Sequence, residues 1–403
     1  MLGFSKPGFF HYVYINMNAF VCPTCGNADP LTIGIKNGEP YCRKCIRFRG
    51  EEISSPIKKT KTVGLHIPYS LSKEQQTLSN RILDNYKKGI DTLVYAVCGS
   101  GKTEISYGVI GYAMSKGLHV GFALPRRDVV IELQERIEQA FPTCHIVAVY
   151  GGHTEQLEGD CIILTTHQLY RYPTYFDLLV LDEIDAFPFK GNEVLQAFFE
   201  KSLRGHCLMM SATPSKNVVN RFKGEGKEIL SLHTRFHKKP IPEPEFCIRI
   251  LFTKYLFLVH LLKRYQKEKK PCLVFVPTID ISVSLSSLLS LFVKGGTYVH
   301  SKRADRSKVI SDFKKGRYGY LVTTAVLERG VTIANCQVVV FRADHPIYDA
   351  ATLIQIAGRA GRKANAPDGD VYFLAEKESE GMIRAKEEIA YCNTFLQGLH
   401  EAF

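Results

Sequence analysis

The chain has 403 residues, 45% hydrophobic and 23% charged, with a formal net charge of +12. This is ordinary globular composition with room for two α/β domains and a small module, and the positive balance favours a polyanionic partner. No run approaches the roughly 20 consecutive apolar residues that a membrane-spanning helix needs. Residues 1–20 form an N-terminal extension, aromatic over 7–20 but broken by His11, Asn16 and Asn18. A small-residue cleavage site is not evident, so no signal peptide is expected, and Met17 is an alternative start.

Residues 21–50 carry Cys22-Pro-Thr-Cys25 and Cys42-Arg-Lys-Cys45, two CxxC pairs separated by sixteen residues. Two such knuckles on facing turns supply four thiolates for tetrahedral Zn²⁺ with no open position, a structural rather than catalytic site. Gly26 is expected to turn the backbone so that amides point at the sulfurs. Asn37-Gly38 between two short strand-like runs predicts a hairpin, and with it a zinc ribbon. The alternative is disulfide pairing. Against it, Cys98, Cys161, Cys207 and Cys272 sit in or beside strand patterns, as buried free thiols do in a reducing, cytosolic setting. Arg43, Lys44, Arg47, Arg49, Lys58, Lys59 and Lys61 then crowd into the end of the ribbon and a linker over 51–66. This stretch reads either as a phosphate-backbone contact made with the ribbon or as a solvated tether.

A first α/β unit follows over 67–233. Apolar runs at 93–97, 119–124, 145–150, 161–165, 178–181 and 207–211 alternate with helical stretches such as 129–141, the pattern of a parallel sheet covered on both faces. The first strand leads into Ala96-Val97-Cys98-Gly99-Ser100-Gly101-Lys102-Thr103, a loop whose amides and following helix N-terminus can cradle a polyphosphate. Lys102 would reach the β- and γ-phosphates, and the Thr103 hydroxyl would ligate Mg²⁺. Ala96 replaces the first glycine of the common GxxxxGK[ST] pattern, so the loop is read from its core and its strand–helix context. Seventy-nine residues beyond Thr103, a buried-strand pattern delivers Asp182-Glu183-Ile184-Asp185 at its carboxyl end, where open α/β sheets place ligands. Asp182 is expected to hold Mg²⁺, directly or through water, and Glu183 to polarise the attacking water.

A proline-punctuated connector over 234–245 leads to a second α/β unit over 246–403. Its strands are expected near 272–276, 297–300, 320–323, 338–341 and 371–374, with helices over 254–266 and 279–292. Near its end stands Gln355-Ile356-Ala357-Gly358-Arg359-Ala360-Gly361-Arg362. The glycines let this segment run close to another surface with two guanidinium groups projecting, suited to neutralise charge on a transferring γ-phosphoryl group.

Five blocks thus stand in a fixed order: the 96–103 loop, the Asp182 tetrad, Ser211-Ala212-Thr213, residues 323–330 and residues 355–362. Together they resemble motifs I, II, III, V and VI of superfamily 2 nucleic-acid helicases, over roughly 70–365. Leu71-Ser72-Lys73-Glu74-Gln75 resembles the upstream glutamine element that reads adenine in that group. More narrowly, DEIDAFPF (182–189), LPRRDVV (124–130), TTHQL (165–169) and LERGVT (327–332), behind a four-cysteine module, resemble the ComFA family of competence ATPases.

The resemblance implies two RecA-like lobes behind a zinc ribbon, using ATP, Mg²⁺ and structural Zn²⁺ as an ATP-dependent single-stranded DNA translocase that drives import in natural transformation. Nucleotide contacts would come from Gln75, Cys98, Gly99, Ser100, Gly101, Lys102, Thr103, Glu104, Asp182 and Gly330. Catalysis would fall to Lys102, Asp182, Glu183, Gln355, Arg359 and Arg362. Strand contacts would come from Pro125, Arg126, Arg127, Thr165, Thr166, His167, Thr324 and Arg329. Arg126 and Arg127 can instead cap a solvated helix start, and Arg329 can equally reach the nucleotide. Implied partners are single-stranded DNA, a ComFC-like protein and the membrane DNA-uptake channel, at the cytoplasmic face of the membrane, with homo-oligomerisation open. Two other readings remain: a PriA-like or RNA helicase of the same superfamily, and a non-enzymatic zinc-dependent DNA-binding scaffold. The cysteines precede the core instead of interrupting it as in PriA-like chains, DEID departs from DEAD and DEAH, and every catalytic position is filled.

Overall fold

A computed structural model describes residues 20–48, 50–250, 252–324, 333–363 and 365–397. Strands β1 (Ile33–Lys36) and β2 (Glu39–Cys42) pair antiparallel. Asn37 at φ 54° and Gly38 at φ 84° form their turn, and two successive left-handed residues give the twist a tight hairpin requires.

The first lobe is a sheet of seven parallel strands. In chain order they are β3 (Thr92–Ala96), β4 (Val120–Leu124), β5 (Ile146–Val149), β6 (Cys161–Thr165), β7 (Phe176–Asp182), β8 (Leu203–Ser211) and β9 (Glu228–Leu232). In space they run β5-β6-β4-β7-β8-β3-β9. Alternate residues serve opposite faces: Val94 and Val180 enter one buried cluster, Leu93 and Leu179 the other. Helices α1 (Lys73–Lys87), α2 (Lys102–Ser115) and α3 (Arg127–Ala140) cover the first face, and α4 (Glu193–Ser202) and α5 (Lys216–Gly224) the second. The edge strand β9 was not among the expected strands.

The second lobe has six parallel strands: β10 (Glu245–Ile248), β11 (Cys272–Phe275), β12 (Gly296–Val299), β13 (Tyr320–Thr323), β14 (Gln337–Phe341) and β15 (Val371–Ala375). Their order is β10-β15-β14-β11-β13-β12. Helices α6 (Thr253–Lys267) and α7 (Ile279–Ser290) pack on one face; α8 (Arg306–Lys314), α9 (Ala350–Ala357) and α10 (Glu380–Thr394) pack on the other.

The ribbon is docked rather than dangling. Phe48 meets Phe198 edge-on at 5.1 Å and stacks on His167 at 5.9 Å, and the four cysteines join the buried cluster beneath α4. The segment after it is packed too. Ile53 N–H donates to the Arg171 carbonyl at 2.7 Å, and Lys61 N–H to that of Ser115 at 3.1 Å. Lys58 donates to the Gly159 carbonyl at 2.6 Å and Lys61 pairs with Asp160. These two lysines therefore hold the chain against the first lobe and belong neither to a solvated tether nor to a free phosphate-binding stripe.

Candidate ATP cleft between the lobes

The phosphate loop joins β3 to α2, with Gly99 at φ 83° and Gly101 at φ 84°. Gly101 is doubly constrained, because a Cβ there would lie 2.4 Å from Gln75 Nε2. Lys102 Nζ lies 3.4 Å from the Ala96 carbonyl. Gln75 has both amide ends engaged: Oε1 accepts the Ser72 N–H at 2.8 Å, capping α1, and Nε2 donates to the Ser100 carbonyl at 2.7 Å. It fastens the upstream glutamine element to the loop. Glu104 accepts from Arg136 at 2.6 Å and from the Tyr69 hydroxyl at 3.1 Å, so it forms part of the cleft wall.

Asp182 ends β7. Desolvation pushes its carboxyl up to about 6, with Lys102 opposing and Glu183 and Asp185 adding repulsion. Glu183 sits at φ 59°, its amide donating to Asp182 Oδ1 at 2.8 Å. Asp185 was absent from the expected site, yet it is the hub. It accepts from Ser211 Oγ and Thr213 Oγ1, each at 2.8 Å, and across the lobes from Gln355 Nε2 at 2.6 Å. The signal available was the tetrad's last carboxylate followed by Ser-Ala-Thr, both of which the sequence displays.

From the second lobe, α9 brings Gln355 and the turn after it Arg359, both buried, together with Arg362. These three and Lys102, Thr103, Asp182 and Glu183 line one cavity of about 130 Å³ between the lobes. Cys98, Gly99, Gly101 and Glu104 also line it. Arg329 and Gly330 lie outside the described residues.

Residues 68–216 match the family model for the type III restriction enzyme res subunit, and residues 253–364 that for the helicase conserved C-terminal domain. The competence protein ComFA of Bacillus subtilis is 30% identical, over 94% of this chain and 87% of its own length. That of Streptococcus pneumoniae is 32% identical, over 92% of this chain and 90% of its own length. The chain belongs to the ComFA family. It carries both helicase halves and is an ATP-hydrolysing enzyme of helicase superfamily 2. The structure of Saccharomyces cerevisiae Dbp5 bound to RNA and ADP BeF3 has a TM-score of 0.64 at 18% identity, over 80% of this chain and 88% of that one. That likeness bears on the two-lobed fold.

In this ComFA-family chain the expected strand contacts are unevenly exposed. Pro125, Thr165 and Thr166 are buried, and His167 is half-buried beneath Phe48. A strand passing there would meet their backbone and the ribbon's edge. Arg126 and Thr324 are half-buried, while Arg127 is exposed with its guanidinium 4.7 Å above the Tyr150 ring.

The ribbon sulfurs of Cys22, Cys25, Cys42 and Cys45 all lie within 4.8 Å of one another. Cys22 and Cys45 stand 3.4 Å apart, Cys25 and Cys42 3.7 Å. A tetrahedral zinc with Zn–S bonds of about 2.3 Å spaces its sulfurs about 3.8 Å apart, so the cluster fits. Burial pushes Cys25 up to about 11 and Cys45 higher still. At Cys22 burial is outweighed by hydrogen bonds from the Cys25 and Thr24 backbone and from Cys45, which draw the thiol down. Ionising Cys25 and Cys45 therefore calls for a compensating cation. Gly26, at φ 70°, turns the backbone as expected: its N–H donates to the Cys22 carbonyl at 2.8 Å, while the Thr24 and Cys25 amides reach the Cys22 sulfur and the Asn27 amide that of Cys25. Asn27 Nδ2 also approaches Cys42 Sγ at 3.5 Å.

Proposed function

We propose that the chain is an ATP-driven motor on single-stranded DNA that powers DNA import during competence. One observation carries the reading: Lys102, Asp182 and Glu183 from one lobe share a single cavity with Gln355, Arg359 and Arg362 from the other. In this reading Lys102 and the loop amides hold the phosphates, Gln75 reads the adenine with its remaining amide hydrogen, and Thr103 and Asp182 hold Mg²⁺. Bound by these two residues, the metal would supply charge neutralisation for the phosphates. Glu183 orients the attacking water, and Arg359 and Arg362 stabilise charge on the transferring group. Closure on ATP and parting after hydrolysis would move lobe two along a strand held by backbone contacts near Pro125, Thr165 and Thr166 and by Arg126, Arg127, His167 and Thr324. Arg329 serves the nucleotide or the strand. The four cysteines hold structural Zn²⁺, which fixes the ribbon beside that track.

In this reading the partners are a ComFC-like protein and the DNA-uptake channel at the inner membrane face. No helix among the described residues is long and apolar enough to cross a membrane. The deciding experiment measures ATP turnover with no nucleic acid, single-stranded DNA, duplex DNA or RNA. Selective stimulation by single-stranded DNA is expected. Stimulation chiefly by RNA would move the chain to the RNA-helicase class, and no turnover under any condition would sink the motor.

A further inference from the structure

The bulkiest fully buried side chain among the described residues is charged: Arg235, 1% exposed, in the connector between the lobes. Its hydrogen-bond acceptors are backbone carbonyls. One terminal nitrogen donates to the carbonyls of Ala360 and Gly361, at 3.1 and 2.7 Å, and the other to that of Gly358 at 3.3 Å. Those three carbonyls belong to the turn that presents Arg359 and Arg362. The next residue ties the connector to the opposite lobe, since Phe236 N–H donates to the Gly99 carbonyl in the phosphate loop at 3.1 Å. His237 Nε2 adds a third tie, 3.1 Å from the Gly361 carbonyl.

We infer that Arg235 is a positioning residue that pins the arginine-bearing turn to the phosphate loop, so that nucleotide held by that loop meets Arg359 and Arg362 in register. The inference rests on the proposed roles of those two arginines. Its geometry needs arginine. A planar fork can span three carbonyls at the negative pole of α9, where a cation is favoured, while a lysine ammonium offers a point charge without the fork. Glycine at 361 follows from its φ of 59° and from the Pro367 carbonyl, which a Cβ there would press at 2.0 Å; the Arg235 guanidinium, at 3.3 Å, crowds the same position more gently. The connector thus has a second task besides joining the lobes. It registers the two halves of the cleft.

The test is steady-state ATP turnover by the full zinc-loaded chain with single-stranded DNA. Arg235→Lys keeps the charge and loses the fork, and kcat should fall roughly 10- to 100-fold with KM for ATP nearly unchanged, as expected for misplaced catalytic groups. Combined with Arg359→Ala and Arg362→Ala together, it should add little to the loss from those two substitutions alone. A merely structural arginine would multiply the two losses, and that result overturns the inference. Wild-type turnover by Arg235→Lys while Arg362→Ala is slow overturns the pin and leaves the arginine reading standing. Wild-type turnover by Arg362→Ala overturns that reading and the pin with it. Should Arg235→Lys not fold, His237→Ala removes a tie to the same Gly361 carbonyl without stranding a buried charge. A lower kcat at constant KM then supports the pin, and an unchanged kcat overturns it.

Discussion

Glu183 occupies a left-handed backbone conformation, φ 59°, which costs a non-glycine residue roughly 1–2 kcal/mol. What that turn achieves is visible in its neighbours: Asp182 ends the strand facing the cavity, Glu183 follows at the cavity wall, and Asp185 reaches Ser211, Thr213 and Gln355. Three carboxylates within four residues are thereby given three different surroundings. Glu183→Gln keeps size and backbone strain and removes only the charge, so it isolates chemistry from folding. We expect it to bind ATP with near-normal affinity while turnover falls on the order of 100-fold or more, as loss of a general base or water-orienting carboxylate does. Nucleotide binding by fluorescence and turnover by phosphate release separate the two. Unchanged turnover would remove Glu183 from the mechanism. Lys102 is tested in parallel. Its one hydrogen bond among the described residues goes to the Ala96 carbonyl at 3.4 Å, so Lys102→Ala should leave the melting temperature within a few degrees and abolish hydrolysis while single-stranded DNA binding survives. A variant that unfolds instead would mean that Lys102 is needed by the loop rather than by the phosphates.

The elements carry the ribbon's role. Phe48 lies against His167, Tyr170 and Phe198, and Lys44 pairs with Glu193 at 3.3 Å, so one small module grips both α4 and the turn after β6. Without a metal, four crowded thiols leave that module with no core of its own. Chelation or Cys22→Ser should therefore open residues 20–66 to protease within the intact chain, while ATP turnover without DNA is largely kept. Protection that persists after chelation would show that packing on lobe one suffices. The same elements explain what a reader of the sequence sees and misses. Central strands such as β7 are continuous apolar runs because both faces are covered, and they are legible at once. The edge strands β5 and β12 are legible too, but the other two are not: β9, Glu-Ile-Leu-Ser-Leu, is half-exposed, and β10 lies hard against the prolines of the connector. The phosphate loop and the metal knuckles announce themselves because their residues are sequence neighbours. Asp185 joins Gln355 across 170 positions and Arg235 joins Gly361 across 126, contacts that only the fold creates.

At the scale of the whole molecule, the question is how tightly the lobes are held. Their rim ion pairs are modest: Lys190 to Asp349 at 3.0 Å and Arg306 to Asp128. Exposed ion pairs of this kind are worth roughly 0–1 kcal/mol each, so the rim can part at low cost when the nucleotide changes. A tighter fit lies at the cleft floor. Gly358 has ordinary helical backbone angles, yet a Cβ there would stand 2.8 Å from Cys98 Cβ and 3.2 Å from its sulfur. Glycine at this position thus reflects the partner lobe and not the local backbone, since alanine would suit the end of α9 as well. Gly358→Ala should accordingly leave stability almost untouched and wedge the lobes apart by a fraction of an ångström. Because Arg359 follows directly, hydrolysis should drop roughly 10-fold or more, the scale on which small misplacements act, while ATP binding to lobe one persists. Turnover at the wild-type rate would mean that the chemistry does not require the lobes to come this close, and the closure that couples ATP to movement would have to be sought at the rim.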